Sequence, residues 1–230
     1  MPEPTQVLPE VLGQIRALSV SRRPLIVCDV DEVVLHLIAH LEDYLHARDL
    51  MFLKHEYRLT GNIGTRNERR ELPAADVRRH LQVFFDDICP RQDLVPGADE
   101  ALHALARDWD IVLLTNLPGG HNKPVREKRL AEMGMTFPVL TNSGPKGGAV
   151  AALAAGRPAP VVFIDDSPTN HSSVHASLPS AMQIQFIADA RFRETVDPAG
   201  HISLVTGDWQ ETSAFIGGIV PGARRPEPAD

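Results

Sequence analysis

Apolar residues fall into two alternating rhythms along this chain. Short unbroken runs at Leu25–Cys28, Ile111–Leu114 and Val161–Ile164 read as strands buried on both faces. Phe137–Leu140 and Met182–Ile187 predict two more. Between these runs, apolar residues recur every three or four positions, which is helical spacing. Val7, Leu8, Val11, Leu12, Ile15 and Leu18 predict a helix before the first strand, weakened by Gly13. Leu37, Ile38, Leu41, Tyr44 and Leu45 predict one after it, and Leu72–Ile88 another. Pro96-Gly97 opens a helix through Arg107 with Ala98, Ala101, Leu102 and Leu105 on one face. Pro124–Met133 is a helix closed by Gly134, and Ala149–Ala155 is a helix of small residues. Strand and helix alternate, so the pattern predicts an α/β fold, a Rossmann-like parallel sheet with helices on both faces.

One segment interrupts the alternation. From 35 to 93 the chain is rich in Lys54, Arg58, Arg66, Arg69, Arg70, Arg78 and Arg79, offset by Glu56, Glu68, Glu71 and Asp76. Such mixed charge is mostly solvated surface. Thr60-Gly-Asn-Ile-Gly64 reads as a loop. The expected organisation is a discontinuous core, 1–34 and 94–220, with a mainly helical insertion at 35–93. The Pro-rich, charged stretch 221–230 is expected to be a disordered tail.

Composition narrows the class. A hydrophobic fraction of 43% in 230 residues supports one buried core with a modest insertion. The formal charge of −7 gives no sign of a nucleic acid polymer as partner. No apolar run approaches a membrane span, and residues 1–20 lack the pattern of a signal peptide. Only Cys28 and Cys89 are present, so a reducing, cytoplasmic setting without disulfides is expected.

The chemistry collects where strands end. The first strand stops in Asp29 and Asp31, two residues apart and able to face one site. On that stretch alone the pair reads equally well as solvated turn aspartates. The second strand ends in Thr115-Asn116 and the third long run in Asp165-Asp166. Alone, the latter pair is also a plausible helix N-cap before Ser167-Pro168. Lys146 stands before the Ala-rich helix in Ser143-Gly-Pro-Lys-Gly-Gly148, outside any Walker A pattern. In this order the residues resemble the haloacid dehalogenase (HAD) superfamily of phosphohydrolases, whose motifs run strand-DxD, strand-Thr/Ser, Lys, strand-DD. The resemblance covers roughly 20–34 and 94–190 and implies a helical cap between the first and second motifs, at 35–93.

The resemblance also implies roles. Asp29 is the nucleophile that forms an aspartyl-phosphate, and Asp31 the general acid, then base. Thr115, Asn116 and Lys146 hold phosphoryl oxygens. A Mg²⁺ cofactor is bound by Asp29, the Asp31 carbonyl and one of Asp165 and Asp166. Many relatives carry Gly where this chain has Glu32, which becomes a candidate substrate contact with Lys54 and Arg58. The function so implied is a Mg²⁺-dependent phosphatase acting on a small phosphorylated metabolite, with no membrane or nucleic acid partner. A 5′-nucleotidase-like hydrolase, a phosphonatase-like hydrolase using Lys54, and a catalytically silent binding protein of the same fold are the alternatives.

Overall fold

A computed structural model describes residues 3–56, 59–157 and 160–219. The arginine at 58 and the expected tail at 221–230 lie outside the described residues. The chain opens with α1 (Pro9–Arg16) and β1 (Leu25–Cys28). Then come α2 (Ile38–His46), β2 (Leu50–Phe52), β3 (Ile63–Thr65) and α3 (Ala74–Ile88). After a 3-10 turn at Cys89–Arg91 follow α4 (Ala98–Leu105), β4 (Asp110–Asn116), α5 (Asn122–Glu132), β5 (Val139–Asn142) and α6 (Gly147–Ala154). The last part holds β6 (Val161–Asp165), α7 (Pro168–Ser177), β7 (Met182–Phe186), α8 (Ala190–Arg193), β8 (Ile202–Thr206) and α9 (Trp209–Gly217).

Six strands form one parallel sheet in the order β5-β4-β1-β6-β7-β8. The expected Rossmann-like architecture is therefore present. Alternation along β1 explains why it sits in the middle. Ile26 and Cys28 join one apolar cluster with Leu102 of α4 and Trp209 of α9. Leu25 and Val27 join the opposite cluster with Val11 of α1, Val150 of α6 and Val174 of α7. Both faces are covered, so every side chain of β1 is buried. The chain places β4 on one side of β1 and later returns to place β6 on the other. Ligands bind beyond the carboxyl ends at such a reversal.

The segment 35–93 holds two helices and, between them, a short hairpin. Between α2 and α3, β2 and β3 pair as an antiparallel hairpin, Leu50 opposite Thr65 and Phe52 opposite Ile63. The expected loop at 60–64 thus runs into a strand. Its Gly64 is required there, because a Cβ would lie 2.7 Å from the Arg70 carbonyl oxygen. Leu35 pairs with Leu94, and the Val95 N–H donates to the Val34 carbonyl at 2.9 Å. The segment thus leaves and rejoins the sheet domain at one point. Its apolar face, including Leu41, Leu45 and Phe84, packs with Ile187 and Phe192 near the carboxyl end of β7.

Candidate active site

Asp29 follows the last residue of β1, and its N–H donates to the Ile164 carbonyl at 2.8 Å. That bond keeps the chain extended past the strand and holds Asp29 beside the end of β6. Asp29 Oδ1 accepts from the Val30 N–H at 2.7 Å and lies 2.7 Å from Lys146 Nζ. Lys146 also donates to Asp165 Oδ2 at 2.7 Å and is fully buried. Burial pulls the ammonium down, but Asp165 and Asp29 outweigh it and hold the lysine above its ordinary value. The following glycines put it there. A Cβ on Gly147 would lie 2.2 Å from the Ser173 carbonyl oxygen, and one on Gly148 2.5 Å from that of Thr5. Without side chains, α6 seats directly on α7 and the N-terminal segment, which carries the residue before it inward.

Asp31 is gripped from the side. Arg126 of α5 donates to Asp31 Oδ1 through both terminal nitrogens at 3.0 Å and reaches Oδ2 at 3.3 Å. Gln92 Nε2 adds a bond to Oδ1 at 2.9 Å, and Thr115 Oγ1 one to Oδ2 at 3.3 Å. Arg126 is itself fully buried, bonded to Gln92 Oε1 at 2.8 Å and to Cys89 Sγ at 3.3 Å. Burial pulls its guanidinium down, while Asp31 and Cys89 raise it above its ordinary value. Oδ1 therefore carries three N–H bonds, and Oδ2 is the less encumbered oxygen. The sequence reading missed Arg126 and Gln92. One signal was available, since Asn122, Arg126 and Leu130 recur every four residues and form the buried stripe of α5.

The pair after β6 divides its work. Asp165 is fully buried and accepts from Lys146, the Ser167 N–H at 2.9 Å and Asn170 Nδ2 at 3.0 Å. His171 Nε2 bonds the Asp165 carbonyl at 2.9 Å, so Asn170 and His171 brace this loop. Asp166 lines the cavity beside Asp29, whereas Asp165 lies behind it. One oxygen each of Asp29, Asp165 and Asp166 lie within 4.8 Å of one another. An all-carboxylate donor set suits a hard divalent cation. The charge balance agrees: among the described residues, the carboxylates Asp29, Asp31, Asp165 and Asp166 meet the cations Lys146 and Arg126, an excess of two formal negative charges. Burial pushes Asp29 up to about 7, against the pull of Lys146. Burial, then the charge of Asp29, raises Asp166 well above the usual carboxylate range. The residues fit a Mg²⁺-like ion.

The remaining candidates fall in different places. Thr115 is buried at the end of β4 and meets Asp31. Asn116 lines the cavity, but its side chain is tied to Asn142 and the Gly144 carbonyl, each at 2.9 Å. Glu32 is not a substrate contact. It is fully buried, with Oε2 accepting from the Leu37 and Ile38 N–H groups at 3.0 and 2.7 Å and Oε1 from Asp189 N–H at 2.7 Å. Its φ of 62° lies in the left-handed region that glycine adopts most readily. Burial pushes Glu32 up to about 7, against the pull of those N–H groups. Lys54 is also displaced from its expected role. It points to solvent, pairs with Glu56 at 3.3 Å and does not line the cavity.

The cavity itself measures about 760 Å³. Asp29, Asp31 and Asp166 lie along it, with Asn142 to Pro145 to one side and residues of α2 and α3 across from them. Among the described residues, no helix is long and apolar enough to cross a membrane.

Comparison with known proteins rests on the fold. No protein-family model matches the chain, and no curated protein does. Solved structures do. A haloacid dehalogenase-like protein of unknown function from Agrobacterium tumefaciens superposes with a TM-score of 0.59 at 18% identity, over 84% of this chain and 97% of its own. The fold is that of the haloacid dehalogenase-like proteins. The HAD-hydrolase YfnB of Bacillus subtilis, solved bound to magnesium, gives a TM-score of 0.55 at 13% identity, over 85% of this chain and 99% of its own. An L-2-haloacid dehalogenase gives 0.54 at 11%, over 84% and 99%. Against that HAD fold, the clustered Asp29, Lys146 and Asp165/Asp166 occupy the carboxyl edge of the central strands.

Proposed function

We propose that this chain is a hydrolase that cleaves a phosphomonoester through an aspartyl-phosphate on Asp29, with Mg²⁺ bound by Asp29, Asp166 and the Asp165 side of the loop. The observation that carries the reading is the pairing of Asp29 with Asp31 along one cavity, with a buried lysine on the first. Lys146 and the Val30 N–H hold Oδ1 of Asp29, which leaves Oδ2 to attack. Asp31, fixed by Arg126, Gln92 and Thr115, presents Oδ2 to pass a proton to the leaving oxygen and later to take one from water. Lys146 balances charge that develops on the transferred group. When bound, the metal ion would offset phosphoryl charge and align it with Asp29. The segment 35–93 serves as a cap that closes the cavity over these groups.

A second carboxylate at Asp31 favours ester cleavage over loss of halide, which needs no proton. A phosphonatase would need a lysine in the cavity to form its Schiff base, and none of the described lining residues is a lysine. The test is turnover of an aryl phosphate and of a 2-haloacid by the purified chain. Expected is Mg²⁺-dependent release of phosphate and no release of halide. Halide release alone would overturn the reading.

A further inference from the structure

The side of the cavity formed by α2, α3 and α8 is largely apolar, and several of the described polar side chains around it are already engaged. On α2 and the residue before it, Leu37, Ile38 and Leu41 face the cavity; on α3, Leu81 and Phe85 do so, and Phe192 comes from α8. Along α3, Arg78, Leu81, Gln82 and Phe85 share one face at helical spacing. Exposure falls along that face, from an exposed Arg78 through half-buried Leu81 and Gln82 to a buried Phe85. The cavity therefore opens on the side of the exposed Arg78 and Glu56, and the inner part of this face is aliphatic and aromatic.

Several of the described polar side chains that reach the cavity have partners of their own, while Ser143, Ser167 and Thr169 line it beyond the ends of β5 and β6 rather than on α2 or α3. Asn142 donates to Asn116 at 2.9 Å, and both donate to the Gly144 carbonyl. Asn170 is spent on Asp165, and Gln82 donates to Asp86 at 2.9 Å. A sugar or nucleoside would bring several hydroxyl or amide groups against this wall, each losing water without gaining a bond. An apolar body would exchange water for Leu, Ile and Phe contacts. A volume near 760 Å³ holds a body well beyond a bare phosphate.

We infer that the substrates are phosphomonoesters of apolar alcohols or phenols, and that Leu37, Ile38, Leu41, Leu81, Phe85 and Phe192 select them against sugar phosphates and nucleotides. The inference rests on the phosphatase reading of the same site and names its substrate class.

The test uses the full chain with Mg²⁺, a series of straight-chain alkyl phosphates from methyl to octyl, a hexose phosphate and a nucleoside monophosphate. The matching alkylphosphonates, which lack a cleavable ester, are titrated for binding. Expected is a rise in kcat/KM of about two- to fourfold per methylene, the size of transferring one methylene out of water. Alkylphosphonate affinity should rise in parallel, and the hexose phosphate should fall about a hundredfold or more below hexyl phosphate. Leu81→Gln, at a half-buried position that tolerates polarity, should flatten the chain-length dependence in both series. Turnover that is flat with chain length, or highest for the hexose phosphate or nucleotide, overturns the inference and leaves the phosphatase. No turnover of any ester, with phosphonate affinity still rising per methylene, overturns the phosphatase and leaves an apolar site. Phosphonate binding that ignores chain length overturns the apolar site itself.

Discussion

Asp29 and Asp31 are the same side chain two residues apart, yet their surroundings give them different capacities. Asp29 has Oδ1 on Lys146 and the Val30 N–H, and it lines the cavity with Asp166. Asp31 has one oxygen filled by three N–H donors. Asp29→Asn should therefore reduce hydrolysis of aryl and alkyl phosphates alike to background. Asp31→Asn should cost about 10²–10⁴-fold on an alkyl phosphate. Its loss on an aryl phosphate, whose leaving group needs less protonation, should be smaller. Steady-state rates on both esters check this, and equal losses for the two variants would contradict the division of labour. Arg126 acts through Asp31. Arg126→Lys keeps the charge but not the planar fork. It should lower alkyl phosphate turnover by about 10²-fold, again sparing the aryl ester. A loss equal on both esters would mark Arg126 as a packing residue only. Arg126→Gln leaves a buried carboxylate half-partnered and should lower unfolding free energy by about 3–5 kcal/mol, read by urea denaturation. Glu32 holds the left-handed turn after Asp31 to the start of α2 and to Asp189. Glu32→Ala strips acceptors from three N–H groups and should cost about 1–3 kcal/mol in the same assay.

At the scale of elements, what could be read in advance was what rests on local periodicity. The run Leu25–Cys28 and the stripes of α3, α4 and α5 carry their own burial pattern, and each formed within a few residues of expectation. The hairpin did not announce itself, because β2 and β3 are three residues each and are stabilised by pairing across a gap in sequence. Likewise α7 buries Asn170, His171 and Ser173 rather than an apolar stripe, so periodicity is silent there. The strand β8, half-buried at the sheet edge, and α9 after it were not read either. Arg126 was hidden in a run of charges whose phase, not composition, revealed it. Asp29, Thr115 and Asp165 were legible because chemistry fixes residue type at strand ends, and Lys146 by its place before α6 in the order of motifs. The apolar lining was not, since Leu81 and Phe85 at helical spacing look like ordinary core. One contact between elements gives a pH prediction. His201, just before β8, stacks on His175 of α7 with ring centroids 4.3 Å apart, and its Nε2 is buried with no hydrogen-bond partner among the described residues. Burial, and then His175 and His171, lower its affinity for a proton below the ordinary 6.5. The unfolded chain then binds the proton first, so this contribution is complete above about 6.5 and is lost as pH falls through the lower folded value. His201→Phe keeps the ring and removes the titration. Urea midpoints should fall less between pH 7.5 and 5.5 in this variant than in the wild type; identical declines would contradict the assignment.

For the whole molecule, a parallel sheet brings residues 29, 115, 146 and 165 to one edge although they are far apart in the chain, and α2 and α3 of the hairpin-bearing insertion line the cavity beside them. Excess formal negative charge at that edge supports a divalent cation in the proposed site. EDTA should abolish aryl phosphate turnover, and added Mg²⁺ should restore it; full activity in chelator would remove the metal from the account. The central claim is that Asp29 is phosphorylated during turnover. Rapid acid quenching of the chain mixed with substrate and Mg²⁺, followed by mass spectrometry of the intact protein and its peptides, measures this directly. The account predicts a mass gain of one phosphoryl group on the peptide holding Asp29, absent from Asp29→Asn. Steady turnover with no phosphoryl group on that peptide, or turnover that survives Asp29→Asn, would contradict it.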